Sequence, residues 1–362
     1  MAGIVNSLAV PVTRNWAGSW SNRIMTVQED AGEEIISRVV VRLGSGPQPL
    51  TLWRRGLTWH PRGFTQHIWA EAVPRSACVD AWRVHVRTWC LKRVAGSPDQ
   101  MRALTDELSN LTLSALVRKP GSPSRLGLAT AIHMSADRLE WTSRLIVAAA
   151  RQQAADAFRL TRSPALLETG VAADLAAGQI DRSESEVVLP SLDADALPAL
   201  ALEVLPFDEM ASLIRAANGT RAIATHNGVT ASFALASDGE RQEVLFLEVR
   251  ASSKPPVGRG LALTMSIPVA APPHLLHALA LNEAELQSDS QTDLLGGWRL
   301  HEGTLVHETF VPRALCTRET VRHMAAGAVR RAEWVRVAAR AFVPADWPTD
   351  SRGRVLPFRR PS

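Results

Sequence analysis

The side chains best suited to chemistry gather in one stretch near the C-terminal end: His301, His307 and His323, with Glu302, Glu308 and Cys316 among them. Imidazole, carboxylate and thiol together are the groups of metal sites and of acid/base catalysis. Their spacing points elsewhere. His301 falls in an expected turn, His307 on an expected strand and His323 on an expected helix, and no pair has the interval that places two ligands on one metal. The glycine pairs Gly44/Gly46 and Gly258/Gly260 lack the strand-to-helix context that makes a phosphate cradle, so both read as turns. Asp106 with Glu107 reads as a solvated helix face. The expectation is therefore of no catalytic residue, no metal and no cofactor: a protein that is not an enzyme.

Charge is the other chemistry available. The chain has 40 basic residues against 36 acids, and only Lys92, Lys119 and Lys254 are lysines. From Arg313 to Ser362 eleven arginines face four acids, a balance of +7, whereas Asp181 to Glu209 holds eight acids against Arg182, a balance of −7. At about 100° per residue, Val321, Met324, Ala325, Ala328, Ala332, Val335, Ala339 and Phe342 form an apolar stripe, and Arg318, Arg322, Arg330, Arg336 and Arg340 lie away from it. Those five arginines are the candidate partner-binding residues, because guanidinium groups grip carboxylates in pairs. Two occupants compete for them: an acidic protein partner, or the chain's own acidic stretch. Nucleic acid is the weaker alternative, since aromatic side chains for base stacking are not interleaved with the arginines apart from Trp334 and Trp347.

These residues have to be positioned by a scaffold, and its pattern is readable. Leu294 to Phe342 predicts a β-hairpin from Trp298 through a turn at His301, Glu302 and Gly303 to Phe310, closed by Pro312, then a long helix capped by the Thr317 hydroxyl. Upstream come a helix at Phe207–Ala217, strands at 222–225, 229–236, 244–250 and 261–267, and a helix from Pro272 to Leu286. The first half shows a similar order. The β-branched run at Ile35–Val41 predicts a strand, and Trp82, Val84 and Val86 alternate with Arg83, His85 and Arg87 as in a strand with one face in a core and one in water. Helices are expected at Pro98–Leu111 and from Ala136 to Phe158 behind a Ser135 cap, with a strand pair between them, and a short helix at Leu166–Ala177. The fold class is α+β: two tandem domains, each an antiparallel sheet with helices packed on one face. The boundaries are an irregular segment 1–34, a first domain 35–160, a linker 161–205, a second domain 206–343 and a basic tail 344–362.

No run of about 18 apolar residues occurs, and the first residues lack the basic start and apolar core of a signal peptide, so no membrane contact and a cytoplasmic location are expected. Three cysteines, Cys78, Cys90 and Cys316, have no CxxC spacing and read as reduced structural thiols.

The helix LLHALALNEAEL, the hairpin GGWRLHEGTLVHETFVP and the helix TRETVRHMAAGAVRRAEWV resemble the YbjN family, which is similar in fold to type III secretion chaperones. Asn282, Gly297, Trp298, Glu302, Gly303 and Pro312 occupy that family's motif positions. The resemblance implies a chaperone-like fold and a non-enzymatic, protein-binding role. It also implies either a homodimer or a monomer in which the tandem repeat imitates one.

Overall fold

The computed structural model describes residues 30–44, 50–73, 82–92, 113–119, 125–134, 138–162, 171–172, 205–218, 221–234, 244–254, 258–267, 275–287, 292–301 and 304–341. The first half opens with helix α1 (Ala31–Leu43), where a strand is expected at Ile35–Val41. The reason lies in the residues just before the β-branched run. The Asp30 carboxylate accepts the Gly32 N–H at 2.9 Å, and Glu33 and Glu34 occupy the first turn, where acidic groups favour a helix. Ile35, Ile36, Val39 and Leu43 then share one buried face, while Val41 is 76% exposed. That is helical spacing, and burial of the face outweighs the few tenths of a kcal/mol by which valine and isoleucine disfavour a helix.

Strands β1 (Leu50–Trp53), β2 (Gly56–Trp59), β3 (Gln66–Ala72), β4 (Trp82–Lys92), β5 (Ala115–Lys119) and β6 (Arg125–Met134) follow, then helix α2 (Leu139–Leu160). They form an antiparallel sheet in the order β1-β2-β3-β4-β6-β5. The two residues of β7 (Val171–Ala172) pair with Leu91 and Lys92 at the end of β4, so these two positions of the expected Leu166–Ala177 helix are strand; the rest of that segment lies outside the described residues. Ser135 and the Pro98–Leu111 segment lie outside the described residues. Helix α2 itself starts at Leu139, with Arg138 at the cap position and no side-chain cap.

The second half runs through α3 (Phe207–Asn218), β8 (Arg221–Thr225), β9 (Gly228–Ala234), β10 (Val244–Lys254), β11 (Gly258–Ile267), α4 (Leu275–Glu285), β12 (Gly297–His301), β13 (Thr304–Pro312) and α5 (Arg318–Ala341). Its sheet order, β8-β9-β10-β11-β13-β12, is the first sheet's order again. Strand for strand, β1 to β6 correspond to β8 to β13, α1 to α3 and α2 to α5. The chain is thus α+β with two tandem antiparallel sheets of one topology, and α1 is the opening helix of the first copy. The last hairpin and helix form as the pattern predicts. Pro312 is the last residue of β13 paired with β11, and the Thr317 Oγ1 accepts the Thr320 N–H at 3.1 Å, satisfying one of the donors a helix start leaves open.

The two copies share one hydrophobic core. A single cluster contains Ile132, Ile146 and Ala150 of the first copy and Met265, Leu295 and Ala328 of the second. Among the described residues no helix is long and apolar enough to cross a membrane.

Candidate functional site

The charged residues that organise the molecule sit where the copies meet. The outer face of β4, expected to face water, is covered: Arg83 is fully buried and His85 is 2% exposed. The Arg83 guanidinium donates to the carbonyls of Glu285 and Gln287 and to that of Thr292 at 3.3 Å. It thereby closes the C-terminal end of α4, where a helix presents unpaired carbonyls and a partial negative charge. The His85 Nε2 lies 2.9 Å from the Glu71 carboxylate. Burial, the larger effect, outweighs that carboxylate and pushes the imidazole pKa down. Alternation along a strand shows which residues share a face, but not what covers that face.

Asn282 on α4 ties both sheets. Its Nδ2 donates to the Leu116 carbonyl of β5 at 2.9 Å and to that of Trp298 in β12 at 3.2 Å, and its Oδ1 accepts the Trp298 N–H at 2.8 Å. Next to it, a Cβ on Gly297 would stand 2.8 Å from the Cα of Ala115, so the close approach of β12 to β5 needs glycine there. Where β5 ends, residues of the second copy take over the open edge of β6. Ala131 and Leu294 exchange backbone hydrogen bonds at 2.9 and 2.7 Å, and the Asp293 carboxylate accepts the His133 N–H at 2.7 Å. These contacts give physical reasons for asparagine at 282, glycine at 297 and tryptophan at 298. Glu302 and Gly303 lie outside the described residues.

Asp293 also binds the His133 ring at 2.9 Å and the His323 ring at 3.1 Å. Burial pushes its carboxyl pKa up, yet the hydrogen bonds from the two imidazoles prevail and hold it well below the usual carboxylate range. A few residues away, Glu285 is fully buried and accepts from Arg331 at 2.7 Å and from the Trp298 indole at 3.2 Å. Here burial wins over the attraction of Arg331, and the Glu285 pKa is raised. A cavity of about 40 Å³ between α5 and the sheet is lined by Asp293, His307, His323 and Arg331. It has room for one or two waters and is far too small for a substrate. His307, driven well below its ordinary pKa by burial and then by Arg331, sits there as a neutral ring with no partner for Nε2. The histidines read from sequence therefore divide: His307 and His323 line one cavity, while His301 is exposed at the hairpin's end. Among the described residues no group of three or more His, Cys, Asp or Glu side chains could hold a metal ion. Of the cysteines, Cys78 lies outside the described residues. Cys90 and Cys316 carry free thiols that burial pushes up to about 12, far from a reactive thiolate.

Of the five candidate arginines, Arg318 is ion-paired with Glu209 at the start of α3, so one acid of the Asp181–Glu209 stretch does meet the arginine face. Arg322 and Arg330 are exposed on α5. Arg336 and Arg340 are on the same helix, but their side chains lie outside the described residues. The arginine that pattern reading overlooked is Arg331, 7% exposed. Its position had a signal, since it is three residues after Ala328 and four before Val335, on the apolar stripe. A guanidinium there requires a buried acid, which Glu285 supplies.

A larger opening than the cavity beside Asp293 lies elsewhere on the second copy. A groove of about 390 Å³ lies between the start of α3 and the joined ends of β10 and β11. Leu205, Met210, Leu261 and Cys316 give it an apolar floor, and Arg259 and Arg313 line it together with Ser252 and Ser253. Helix α5, with the candidate arginines, begins two residues after Cys316. No protein family, curated protein or solved structure matches the chain significantly.

Proposed function

We propose that the protein is a non-enzymatic, chaperone-like protein-binding module of the cytoplasm, similar in kind to the YbjN and type III secretion chaperone proteins. Its second copy holds a segment of a protein partner. The observation that carries this reading is the groove: an apolar floor, arginines on its lining, and walls made from a helix start and two strand ends held by a shared core. Its volume falls within the range of about 300–1,000 Å³ typical of ligand sites, enough for one large side chain and the backbone beside it. Anchoring one apolar side chain while cations hold flanking carboxylates is a common way to grip an extended segment. Arg322, exposed one turn further along α5, extends the positive surface.

Leu261→Trp fills the groove from its floor, and Arg259→Gln with Arg313→Gln removes the cations. Wild-type protein used as bait in native lysate is expected to retain a stoichiometric protein that both variants lose. Equal recovery by wild type and variants, or none by wild type, contradicts the reading.

A further inference from the structure

The cover over the outer face of the first sheet is incomplete. Arg83 and His85 are buried there, but Trp69, Arg87 and Trp89 are partly exposed and Trp53 is 46% exposed. Trp53, Gly56, Trp69 and His85 form one cross-strand row over β1 to β4, and Arg87 and Trp89 continue the same face of β4. None of these three tryptophans belongs to a described hydrophobic cluster. Indoles are the largest apolar groups a core can use, so three kept outside the cores on one face serve something other than packing.

Their arrangement shows what is on offer. The Trp53 ring lies over Gly56, where a Cβ would stand 2.6 Å from it. Trp69 is stacked on the His85 ring, with centroids 4.7 Å apart and planes 6° from parallel. The Arg87 guanidinium lies 5.0 Å from the Trp69 ring and 5.6 Å from the Trp89 ring, so His85, Trp69, Arg87 and Trp89 make a ladder of rings around one cation. Unlike Arg331, Arg87 is ion-paired with no carboxylate among the described residues. Glu71, the acid that attracts it, is bound instead to the His85 Nε2 at 2.9 Å. Burial outweighs that attraction and pulls the Arg87 pKa down, and its Nε is buried without a hydrogen-bond partner. A guanidinium desolvated to this degree and lacking a carboxylate is suited to take an anion from outside.

An anion alone does not account for Trp53. A carboxylate from an acidic peptide would satisfy Arg87 and leave the exposed indole unused, whereas each unit of a nucleic-acid strand carries both a phosphate and a π-face. The interleaving of rings and cation that the α5 arginines lack is present here, on the open face of an antiparallel sheet. We propose that this face binds single-stranded nucleic acid, with a base stacked on the Trp53 ring and a backbone phosphate held by the Arg87 guanidinium. Two strand spacings, about 10 Å, separate β2, over which the Trp53 ring lies, from Arg87 on β4. A duplex is excluded from the Trp53 contact because its base faces are already stacked. The site shares no residue with the groove of the second copy, so each stands or falls separately.

Fluorescence anisotropy of a labelled oligothymidylate of about 15 nucleotides, with full-length protein at about 0.15 M salt, tests this. Wild type is expected to bind it about tenfold or more tightly than a duplex of the same length. Trp53→Ala is expected to weaken single-strand binding about 5- to 150-fold, the worth of one base–aromatic stack. Trp53→Phe, which keeps a ring, is expected to retain most of the affinity. Arg87→Gln is expected to weaken binding and to lower the slope of log affinity against log salt by about 0.7, one phosphate on a single strand. Arg322→Gln with Arg330→Gln, on α5, is expected to change nothing. No binding by wild type overturns the proposal, as does equal affinity for the duplex. So does wild-type affinity in Trp53→Ala, equal loss in Trp53→Phe and Trp53→Ala, or a loss confined to the α5 variant, which would leave only generic attraction to phosphate.

Discussion

Arg330 and Arg331 are neighbours in sequence and opposite in consequence, and replacing them separates the exposed charge of α5 from its buried charge. Arg331→Met leaves the Glu285 carboxylate, which is wholly buried, with the Trp298 indole N–H as its remaining side-chain donor. An uncompensated buried charge of this kind costs about 3–5 kcal/mol. That is a large part of the roughly 5–15 kcal/mol by which a folded protein is stable. Removing both charges with Glu285→Leu and Arg331→Met leaves an unpaired indole N–H, at about 1–3 kcal/mol. The double variant is therefore expected to be more stable than Arg331→Met alone. Arg330→Gln, at an exposed position, is expected to change stability by less than about 0.5 kcal/mol. Urea unfolding of the four proteins, with the slope checked for constancy, gives these differences. An Arg331→Met cost under about 1 kcal/mol, or a double variant no more stable than the single, would refute the buried pair as a coupled unit.

Two other expectations concern the seam between the copies. His307 has a pKa depressed in the fold by burial, so it binds a proton more readily when unfolded. Its contribution is complete above its unfolded value of about 6.5 and is lost as pH falls below it, at up to about 1.4 kcal/mol per pH unit. Denaturation midpoints between pH 7.5 and 5 are expected to fall with pH and to fall less steeply in His307→Leu; identical slopes contradict this. Gly297→Ala places a methyl group against the Ala115 backbone, where neither chain can yield without parting β12 from β5. It is expected to cost about 1–3 kcal/mol, seen as a lowered thermal midpoint, and an unchanged midpoint removes the close approach as a constraint.

The sequence made the architecture legible where pattern and burial coincide. The alternation in β4, the order of elements in both copies, the Thr317 cap and the α5 stripe all follow from side-chain periodicity within one element. Helix α1 was hidden because Val39, Val40 and Val41 favour a strand taken alone; the helical signal lay in Asp30, Glu33 and the spacing from Ile35 to Leu43. The buried roles of Arg83, His85, Arg331 and Glu285 were less legible, because each depends on a partner about 14 to 209 residues away. No local pattern encodes such a distance. The groove was invisible for a related reason: its lining is drawn from positions as far apart as Leu205 and Cys316, which only the folded sheet and helix bring together.

Whether the groove holds a protein segment is decided by partner capture on an otherwise unaltered scaffold. Wild type, Leu261→Trp and the Arg259→Gln/Arg313→Gln pair, each shown to unfold at the same urea midpoint, are presented to native lysate and the bound proteins weighed. One stoichiometric partner is expected on wild type and none on either variant. The same partner on all three, with stability unchanged, would contradict it.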